Sequence, residues 1–297
     1  MSPVSYTIIE LPIQNQPKIK PSSKQWKHLA RDGKLKQTPG LAYSPFQRML
    51  WISLSPRKHP KSNTSPPIVA MRGKISKKGE APRNPCQAFA ALSWLLKKYS
   101  PDIVLLSKTK LYGSKIGRCG VLFGYDNYFC VGFSGGLLLL WRDSCSVNVL
   151  SFSLGHIDAR VVMENGYCWR FIGFYGDPNP NKIVFLWNLL RRLKEMDDLP
   201  WVCGGDFNEL LSVHDKVGGL LKSFIGMSNF RQAIEECNLS DLGYTGPRHT
   251  WNNKREGKSN IRERIDMFLA KEKWRDRFVK VKVDHMGFFS SDTVLFI

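Results

Sequence analysis

Two polar side chains follow an apolar strand pattern in the second half of this 297-residue chain. The stretch LPWVCGGDFNELL, residues 199–211, places Asp206 and Asn208 two residues apart, directly after two glycines. At that interval both side chains leave the strand on the same side. A carboxylate beside a carboxamide can orient an attacking water and hydrogen-bond a phosphate oxygen. The same residue types are common in turns after strands, so the pair alone leaves both interpretations open.

Three further polar residues lie next to apolar strand patterns. Tyr175 ends the run CWRFIGFY before a Gly-Asp-Pro turn, Asp266 lies inside RIDMFLA, and Asp292 precedes the last apolar run. A carboxylate at position 266 is expected to be buried among apolar neighbours, which costs free energy unless it has a partner. These residues favour a functional site over an isolated turn at Asp206 and Asn208.

The hydrophobic pattern from residue 86 onward predicts the elements that must position this site. Closely spaced β-like runs lie between residues 102 and 175, separated by turn signals such as Asn165-Gly166. Strands in meander order mixed with helices, without strict βαβ alternation, argue for a layered α+β sandwich rather than a Rossmann fold. Helical spacing is predicted for three segments, 86–99, 182–196 and 226–237.

The N-terminal part of the chain differs in composition from the rest. Of the net charge of +19, residues 1–85 supply 16 Lys and Arg minus 3 Asp and Glu, or +13, and they hold 12 of the 17 prolines. A segment rich in Pro and Lys with few apolar runs cannot bury enough surface to offset its conformational entropy. We therefore predict that residues 1–79 form a disordered basic leader and residues 80–297 the folded domain.

Composition also bears on the compartment. The longest apolar run, Gly135–Trp141, is far short of the ~20 residues that a transmembrane helix needs. The N-terminus lacks the pattern of a secretory signal, and the 7 cysteines include no Cys-x-x-Cys pair, which favours thiols in a reducing compartment. The sequence predicts a soluble intracellular protein of the nucleus or cytoplasm, neither secreted nor bound to a membrane.

Taken in order, the motifs resemble the endonuclease/exonuclease/phosphatase family, and specifically the endonuclease domain of plant LINE-type (non-LTR) retrotransposons. The resemblance runs from about Gly79 to Ile297 and is carried by PDIVLLSKTK, SGGLLLLW, HIDARV, WRFIGFYGDP, LPWVCGGDFNELL, KVGG and NIRERIDMFLAKEKW. It implies a four-layered α/β sandwich with a divalent-metal site at one end of two central sheets. Family members hydrolyse phosphodiester bonds, and in retroelements the domain nicks target DNA.

The resemblance also implies roles for single residues. Tyr175 looks like the tyrosine that contacts the scissile phosphate, Asp206 like the aspartate that orients the attacking water beside the metal, and Asn208 like the asparagine that assists it. Asp266 resembles the aspartate that buttresses a catalytic histidine, and Asp292 a metal-side aspartate. An active enzyme would use Mg²⁺ or Mn²⁺ as its cofactor, and an inactive one would need none.

Three positions depart from the family pattern. Lys108 stands where the metal-binding glutamate belongs and Thr293 where the histidine belongs, while Lys78 occupies the place from which an asparagine is missing. The first strand of the fold is therefore expected to be lost. An ammonium at ~4 Å repels a unit of positive charge by about 4 kcal/mol at an effective dielectric of ~20, and threonine does not titrate near neutral pH as histidine does.

These departures predict a relative of a Mg²⁺-dependent DNA endonuclease whose catalysis is impaired. The alternatives are a non-catalytic nucleic-acid-binding remnant, in which Lys108 itself holds a phosphate, and a pseudogene product. The expected partner of this monomer is nucleic acid, DNA rather than RNA, contacted by Trp251, Arg255 and Arg262. Packing under the sheet is the alternative for Trp251, and a solvated hairpin loop is the alternative for the two arginines.

Overall fold

The apolar runs of the second half form the strands of two large sheets in the computed structural model of the chain. The described residues belong to one compact unit. The structure describes the backbone of residues 9–10, 49–53, 70–74, 87–109, 120, 123–132, 136–286 and 294–296. Among these residues, it also describes the side chains of those between 92 and 285.

Four helices and 17 strands lie in this part of the chain. The helices are α1 (Gln87–Tyr99), α2 (Pro180–Met196), α3 (Phe224–Glu236) and α4 (Glu272–Arg277), with 3₁₀ turns at Val213–Asp215 and Gly257–Ser259. The strands are β1 (Ile9–Glu10), β2 (Met49–Ser53), β3 (Ala70–Lys74), β4 (Ile103–Thr109), β5 (Asn127–Val131), β6 (Gly136–Trp141), β7 (Ser146–Ser153), β8 (His156–Val162), β9 (Cys168–Tyr175), β10 (Trp201–Asp206), β11 (Lys216–Val217), β12 (Leu239–Asp241), β13 (Trp251–Asn252), β14 (Arg262–Glu263), β15 (Asp266–Lys271), β16 (Asp284–Met286) and β17 (Val294–Phe296).

The strand order brings the ends of β9, β10 and β15 together. The first 7-stranded sheet has the order β1-β7-β8-β9-β10-β15-β12, and the second has the order β16-β17-β2-β4-β6-β5-β3. Strands β11, β14 and β13 form a small third sheet. Because β9 and β10 are parallel while β15 is antiparallel to β10, the carboxyl ends of the first two strands lie beside the start of the third.

Two sets of buried apolar residues hold the layers together. The first fills the space between the two sheets and includes Leu105, Leu139 and Phe268. The second packs α2 and α3 on the outer face of the first sheet, where the rings of Trp187 and Phe230 stack at 4.4 Å. Helix α1 buries one apolar face as well. The expected α+β fold, a four-layered sandwich of the endonuclease/exonuclease/phosphatase type, is confirmed.

Strands β2 and β3 lie inside the segment that we predicted to be a leader. Strand β2 pairs in parallel with β4, with Ser53 opposite Ser107, and β3 pairs with β5. The segment therefore contributes two strands to the second sheet, and the loss of the first strand of the fold stays a prediction. The run MLWIS is too short to show a period, and a strand inside a parallel pairing has a continuous apolar sequence rather than an alternating one. Lys78 lies outside the described residues, and the domain boundary at residue 80 stays a prediction.

The remaining local predictions agree with the structure. The three predicted helices correspond to α1, α2 and α3. The turn between β8 and β9 is formed as expected, with Gly166 at φ +80° and the Tyr167 amide donating to Oδ1 of Asn165 at 3.0 Å. Among the described helices, none is both long enough and apolar enough to cross a bilayer.

Candidate active centre

Tyr175, Asp206 and Asp266 lie side by side across three neighbouring strands. Asp206, the last residue of β10, is the register partner of Tyr175 on β9 and of Asp266 on β15. Directly paired residues point to the same face of a sheet, and Tyr175 packs against the apolar residues between the two sheets. The three polar side chains therefore face the second sheet.

The two glycines of β10 explain how the three strands approach so closely. A Cβ atom on Gly205 would lie 2.0 Å from the carbonyl oxygen of Phe174, and the backbone at this position has φ +143°. A Cβ atom on Gly204 would lie 2.2 Å from the ring of Phe268. The sequence WVCGGD is thus required to bring the end of β10, and with it Asp206, between β9 and β15.

Lys108 enters the same space from the second sheet. It lies near the end of β4, where the pairing with β6 shifts register between Leu106 and Thr109, and its backbone is left-handed at φ +54°. Its Nζ is 3.1 Å from Oδ2 of Asp206 and 5.3 Å from the centre of the Tyr175 ring. The side chains of Lys108 and Asp206 are 14% and 1% exposed. The bulge directs a lysine, rather than a carboxylate, at the candidate centre.

The pair of Lys108 and Asp206 is an ion pair. Burial lowers the pKa of Lys108, but the negative charge of Asp206, with a smaller contribution from Asp266, outweighs burial and leaves the pKa of Lys108 raised. Burial raises the pKa of the Asp206 carboxyl, and the Lys108 ammonium opposes that rise. Burial also raises the pKa of Tyr175. Lys108 therefore keeps its proton and neutralises the carboxylate beside it.

Asn208 is held by bonds within its own loop. Its amide N–H donates to Oδ1 of Asp206 at 2.9 Å, and its Nδ2 donates to the carbonyl of Gly176 at 2.7 Å, with the backbone at φ +52°. Lys222, which the sequence did not single out, donates from Nζ to the Asn208 carbonyl at 2.6 Å. The carboxamide joins the β10 loop to the turn after β9.

Asp266 is 2% exposed at the start of β15. The hydroxyl of Thr250 accepts hydrogen bonds from the amides of both Ile265 and Asp266 at 3.1 Å. Thr250 therefore fixes the backbone that carries the carboxylate, a role for which the sequence offered no signal. Asp292 and Thr293, predicted for the metal side and the histidine position, lie outside the described residues.

The described residues do not form a divalent-metal site. Among them, no group of three or more His, Cys, Asp and Glu side chains could hold a metal ion. Mg²⁺ and Mn²⁺ prefer several oxygen ligands, but one oxygen of Asp206 faces the Lys108 ammonium and the other accepts from the Asn208 amide. This donor set does not fit the cofactor that the family resemblance implies.

The predicted nucleic-acid contacts lie on the hairpin of β13 and β14. Trp251 is half-buried and packs against Leu210, Met227 and Ile265, as expected of a packing residue. Arg255 and Arg262 are exposed. Position alone does not assign a ligand to these side chains, so their contact with nucleic acid stays a prediction.

Comparisons with known proteins agree with the arrangement of the strands. Residues 78–292 match the Endonuclease/Exonuclease/phosphatase family. The endonuclease domain of TRAS1, a telomere-specific non-LTR retrotransposon, is 12% identical with a TM-score of 0.54, covering 84% of this chain and 96% of that domain. The AP endonuclease LMAP from Leishmania major is 11% identical with a TM-score of 0.53, covering 84% of this chain and 86% of its own.

A third similar structure is the 3' phosphatase NExo from Neisseria bound to a product DNA hairpin, 14% identical with a TM-score of 0.52, covering 84% of this chain and 98% of its own. No curated protein matches this sequence. At such low identities the solved structures show likeness of fold alone. Because the family match spans most of its length, the chain belongs to the endonuclease/exonuclease/phosphatase family.

Proposed function

We propose that this protein is a DNA-binding member of the family, descended from a plant LINE-type retrotransposon endonuclease, in which metal-dependent phosphodiester hydrolysis is impaired. The observation that carries the proposal is the ion pair between Lys108 and Asp206, with 3.1 Å between Nζ and Oδ2. The motif order and the likeness in fold to the TRAS1 endonuclease domain support the retroelement origin.

The ion pair opposes each step that hydrolysis needs. A carboxylate that is 1% exposed and bonded to an ammonium is a poor partner for an attacking water. Freeing it would leave a buried charge without compensation, which costs several kcal/mol. The ammonium also stands where the family places a metal-binding glutamate, and the two positive charges would repel each other.

DNA is the partner that the surface charges favour. The exposed charged residues of the hairpin between β13 and β14 are four basic ones and a single acidic one, Lys254, Arg255, Lys258, Arg262 and Glu256. Basic side chains on one surface attract the phosphate backbone independently of base sequence. The relative solved with a product DNA hairpin supports the same class of partner.

A nicking assay tests the loss of hydrolysis. Supercoiled plasmid is incubated with the protein in Mg²⁺, in Mn²⁺ and in EDTA, and an Asp206→Ala variant serves as the matched control. We expect the wild-type protein to nick no more than Asp206→Ala under any of the three conditions. Metal-dependent nicking that disappears in Asp206→Ala would show that the centre is active and would refute this part of the proposal.

A binding assay tests the other part. Affinity for a short duplex is measured by fluorescence anisotropy over a series of salt concentrations. We expect binding at low salt that weakens as salt rises, because neutralised phosphates release counterions. If the full chain does not bind duplex even at low salt, DNA binding is excluded and the pseudogene product becomes the better interpretation.

A further inference from the structure

An exposed apolar surface lies beside the candidate centre. Four large apolar side chains, two in the segment after β11 and two in the first turn of α3, are mostly exposed to solvent. Leu220 is 91% exposed, Leu221 74%, Phe224 65% and Ile225 72%. We call these four residues the apolar ridge. Single exposed apolar residues are ordinary, but four large ones within six positions of the chain are unusual and indicate a binding surface.

The chain on either side of the ridge is fixed. Gly218 and Gly219 have φ +81° and +66°, and they lie against the strand β14 side of the hairpin. A Cβ atom would be 2.1 Å from the Asn260 carbonyl at the first glycine and 2.6 Å from the Ile261 side chain at the second. The backbone at these two glycines therefore packs closely against the hairpin, directly before the exposed leucines.

Lys222 anchors the middle of the segment. Its Nζ donates to the Asn208 carbonyl at 2.6 Å and lies 3.7 Å from Oε1 of Glu209. Ser223 then caps α3 by accepting from the Gly226 amide at 3.3 Å. The backbone of the ridge is therefore held in a fixed position next to the loop that carries Asn208, so that little backbone entropy is left to lose on binding.

The charges around the ridge indicate the chemistry of its partner. Strand β11, which leads into the ridge, pairs with β14, so that Val217 is opposite the exposed Arg262. Further along the hairpin are exposed Lys254, Arg255 and Lys258, against one exposed acid. An apolar surface bordered by basic groups fits a ligand with an acidic exterior and an apolar interior, as duplex DNA has.

We propose that the apolar ridge is a wedge that inserts between base pairs of a DNA duplex while the basic hairpin contacts the flanking phosphates. Leu, Ile and Phe are the side chains that proteins use to unstack a base step and bend the duplex. This inference rests on the proposed DNA binding, and it assigns to the ridge a role separate from hydrolysis.

The test uses a short duplex that contains 2-aminopurine, whose fluorescence rises when its base unstacks. The full chain is compared with Leu220→Ser/Leu221→Ser and Phe224→Ser/Ile225→Ser. Val279→Ser is the matched control, because Val279 is 78% exposed but follows α4, outside the ridge. Anisotropy gives the affinity of each protein, and thermal unfolding verifies that each is folded.

The wild-type protein and Val279→Ser are expected to bind with a rise in 2-aminopurine fluorescence. Each double variant is expected to bind about tenfold more weakly, or about 1.4 kcal/mol, because the inserted apolar contacts are lost, and to give no rise. Binding by the wild-type protein without a rise, or double variants that behave as wild type, would overturn the wedge and leave DNA binding intact. Absence of any duplex binding would overturn both.

Sedimentation distinguishes a second kind of occupant. If the wild-type protein is a dimer and the double variants are monomers with unchanged duplex affinity, the ridge is a contact between two copies of the chain, and the wedge is wrong. If the wild-type protein and the double variants sediment alike, the ridge does not join two copies of the chain, and the 2-aminopurine fluorescence alone decides whether it is a wedge.

Discussion

Nζ of Lys108, on a strand of one sheet, lies 3.1 Å from Oδ2 of Asp206, on a strand of the other. This pair joins the two sheets at the end where Tyr175 and Asp266 also lie. A lysine so placed has two effects that can be separated. It stabilises a buried carboxylate, and in the proposed function it takes the place of a metal-binding glutamate.

The first effect predicts a loss of stability in Lys108→Met. Removing the ammonium leaves Asp206 buried without its counter-ion, and we expect the free energy of unfolding to fall by about 3 kcal/mol. The double variant Lys108→Met/Asp206→Asn should be closer to wild type, because no uncompensated charge remains. Urea unfolding of the four proteins of this cycle measures the coupling.

A surface pair provides the control for this experiment. Arg191 and Glu236 form an ion pair between α2 and α3 in which the side chains are 34% and 41% exposed. Exposed pairs contribute little because water and salt screen them. Arg191→Met should therefore leave the urea midpoint nearly unchanged. If Lys108→Met and Arg191→Met lower the urea midpoint equally, the buried ion pair of Lys108 stabilises the fold no more than the exposed pair does, and the prediction is wrong.

The second effect predicts that Lys108→Glu gains a response to divalent cations. The substituted carboxylate would stand beside Asp206 and Asp266, so like charges should lower the melting temperature in EDTA. Mg²⁺ or Mn²⁺ should then raise the melting temperature, because a ligand that binds only the folded state stabilises it. Wild type should show no such rise.

Lys108→Gln separates a new cation site from a simple loss of the ammonium. It removes the positive charge without adding a carboxylate, so cations should have little effect on its melting temperature. The gain of a site is refuted if Lys108→Glu and Lys108→Gln respond alike to Mg²⁺ and Mn²⁺ in a thermal shift series.

The sequence predicted the members of the centre better than their bonding. Tyr175 and Asp206 were predicted at strand ends and lie there, whereas Asp266 was predicted inside its strand and is the first residue of β15. The direct contact of Lys108 with Asp206 could not be predicted, since it joins two sheets through a bulge in β4. Likewise, Asn208 directs its carboxamide to the Gly176 carbonyl, a contact that depends on how β9 and β10 end together.

Two other discrepancies have a common cause. Strand β2 was missed because four apolar residues and a serine among prolines carry no period, and its place is set by pairing with β4 and β17. Trp94 lies in the predicted helix 86–99, whose spacing does not reveal that this ring is 50% exposed on α1 with the ammonium of Lys98 4.7 Å from its centre. In both cases tertiary neighbours, which single-sequence patterns do not contain, decide the outcome.

A buried histidine makes the fold sensitive to acid. His156 on β8 is fully buried between the hydroxyls of Ser151, at 3.2 Å from Nε2, and Ser153, at 2.7 Å from Nδ1. Ser151 also donates to Asp158, which receives two bonds from Arg170 at 2.6 and 2.7 Å. Burial, with a smaller effect of the Arg170 charge, lowers the pKa of His156 to about 3.

This lowered pKa predicts that stability falls as the pH drops from about 6.5. The unfolded chain binds a proton at His156 more readily than the folded protein does. The contribution of neutral His156 to the free energy of unfolding is therefore complete above pH 6.5 and is lost progressively towards pH 3. Between pH 6.5 and 5 the loss should be about 2 kcal/mol. Urea unfolding at pH 7 and pH 5 should give a smaller difference for His156→Gln than for wild type. Equal differences would mean that His156 does not control this pH range.

The exposed arginines of the hairpin are expected to set the salt dependence of DNA binding. Arg255→Ala/Arg262→Ala removes two positive charges, and both side chains are exposed, so the buried residues stay unchanged. The slope of log affinity against log salt should become shallower by about 2, because each phosphate contact contributes roughly one released counterion. Arg277→Ala, on α4, is the control and should keep the wild-type slope. An unchanged slope in the double variant would place the DNA on another surface.

The glycine at the end of β10 is expected to be the least replaceable residue near the centre. In Gly205→Ala the new methyl group would lie 2.0 Å from the Phe174 carbonyl, in a backbone at φ +143°. Because a backbone carbonyl within a parallel strand pair cannot turn away, β9 and β10 must separate, and we expect a loss of about 3 kcal/mol or more. Gly166→Ala is the control, since that glycine is also left-handed, at φ +80°, but has no atom within 4 Å of the added Cβ. It should lose only about 1 kcal/mol. Similar melting temperatures for the two variants would mean that close packing of β9 on β10 does not determine the position of Asp206.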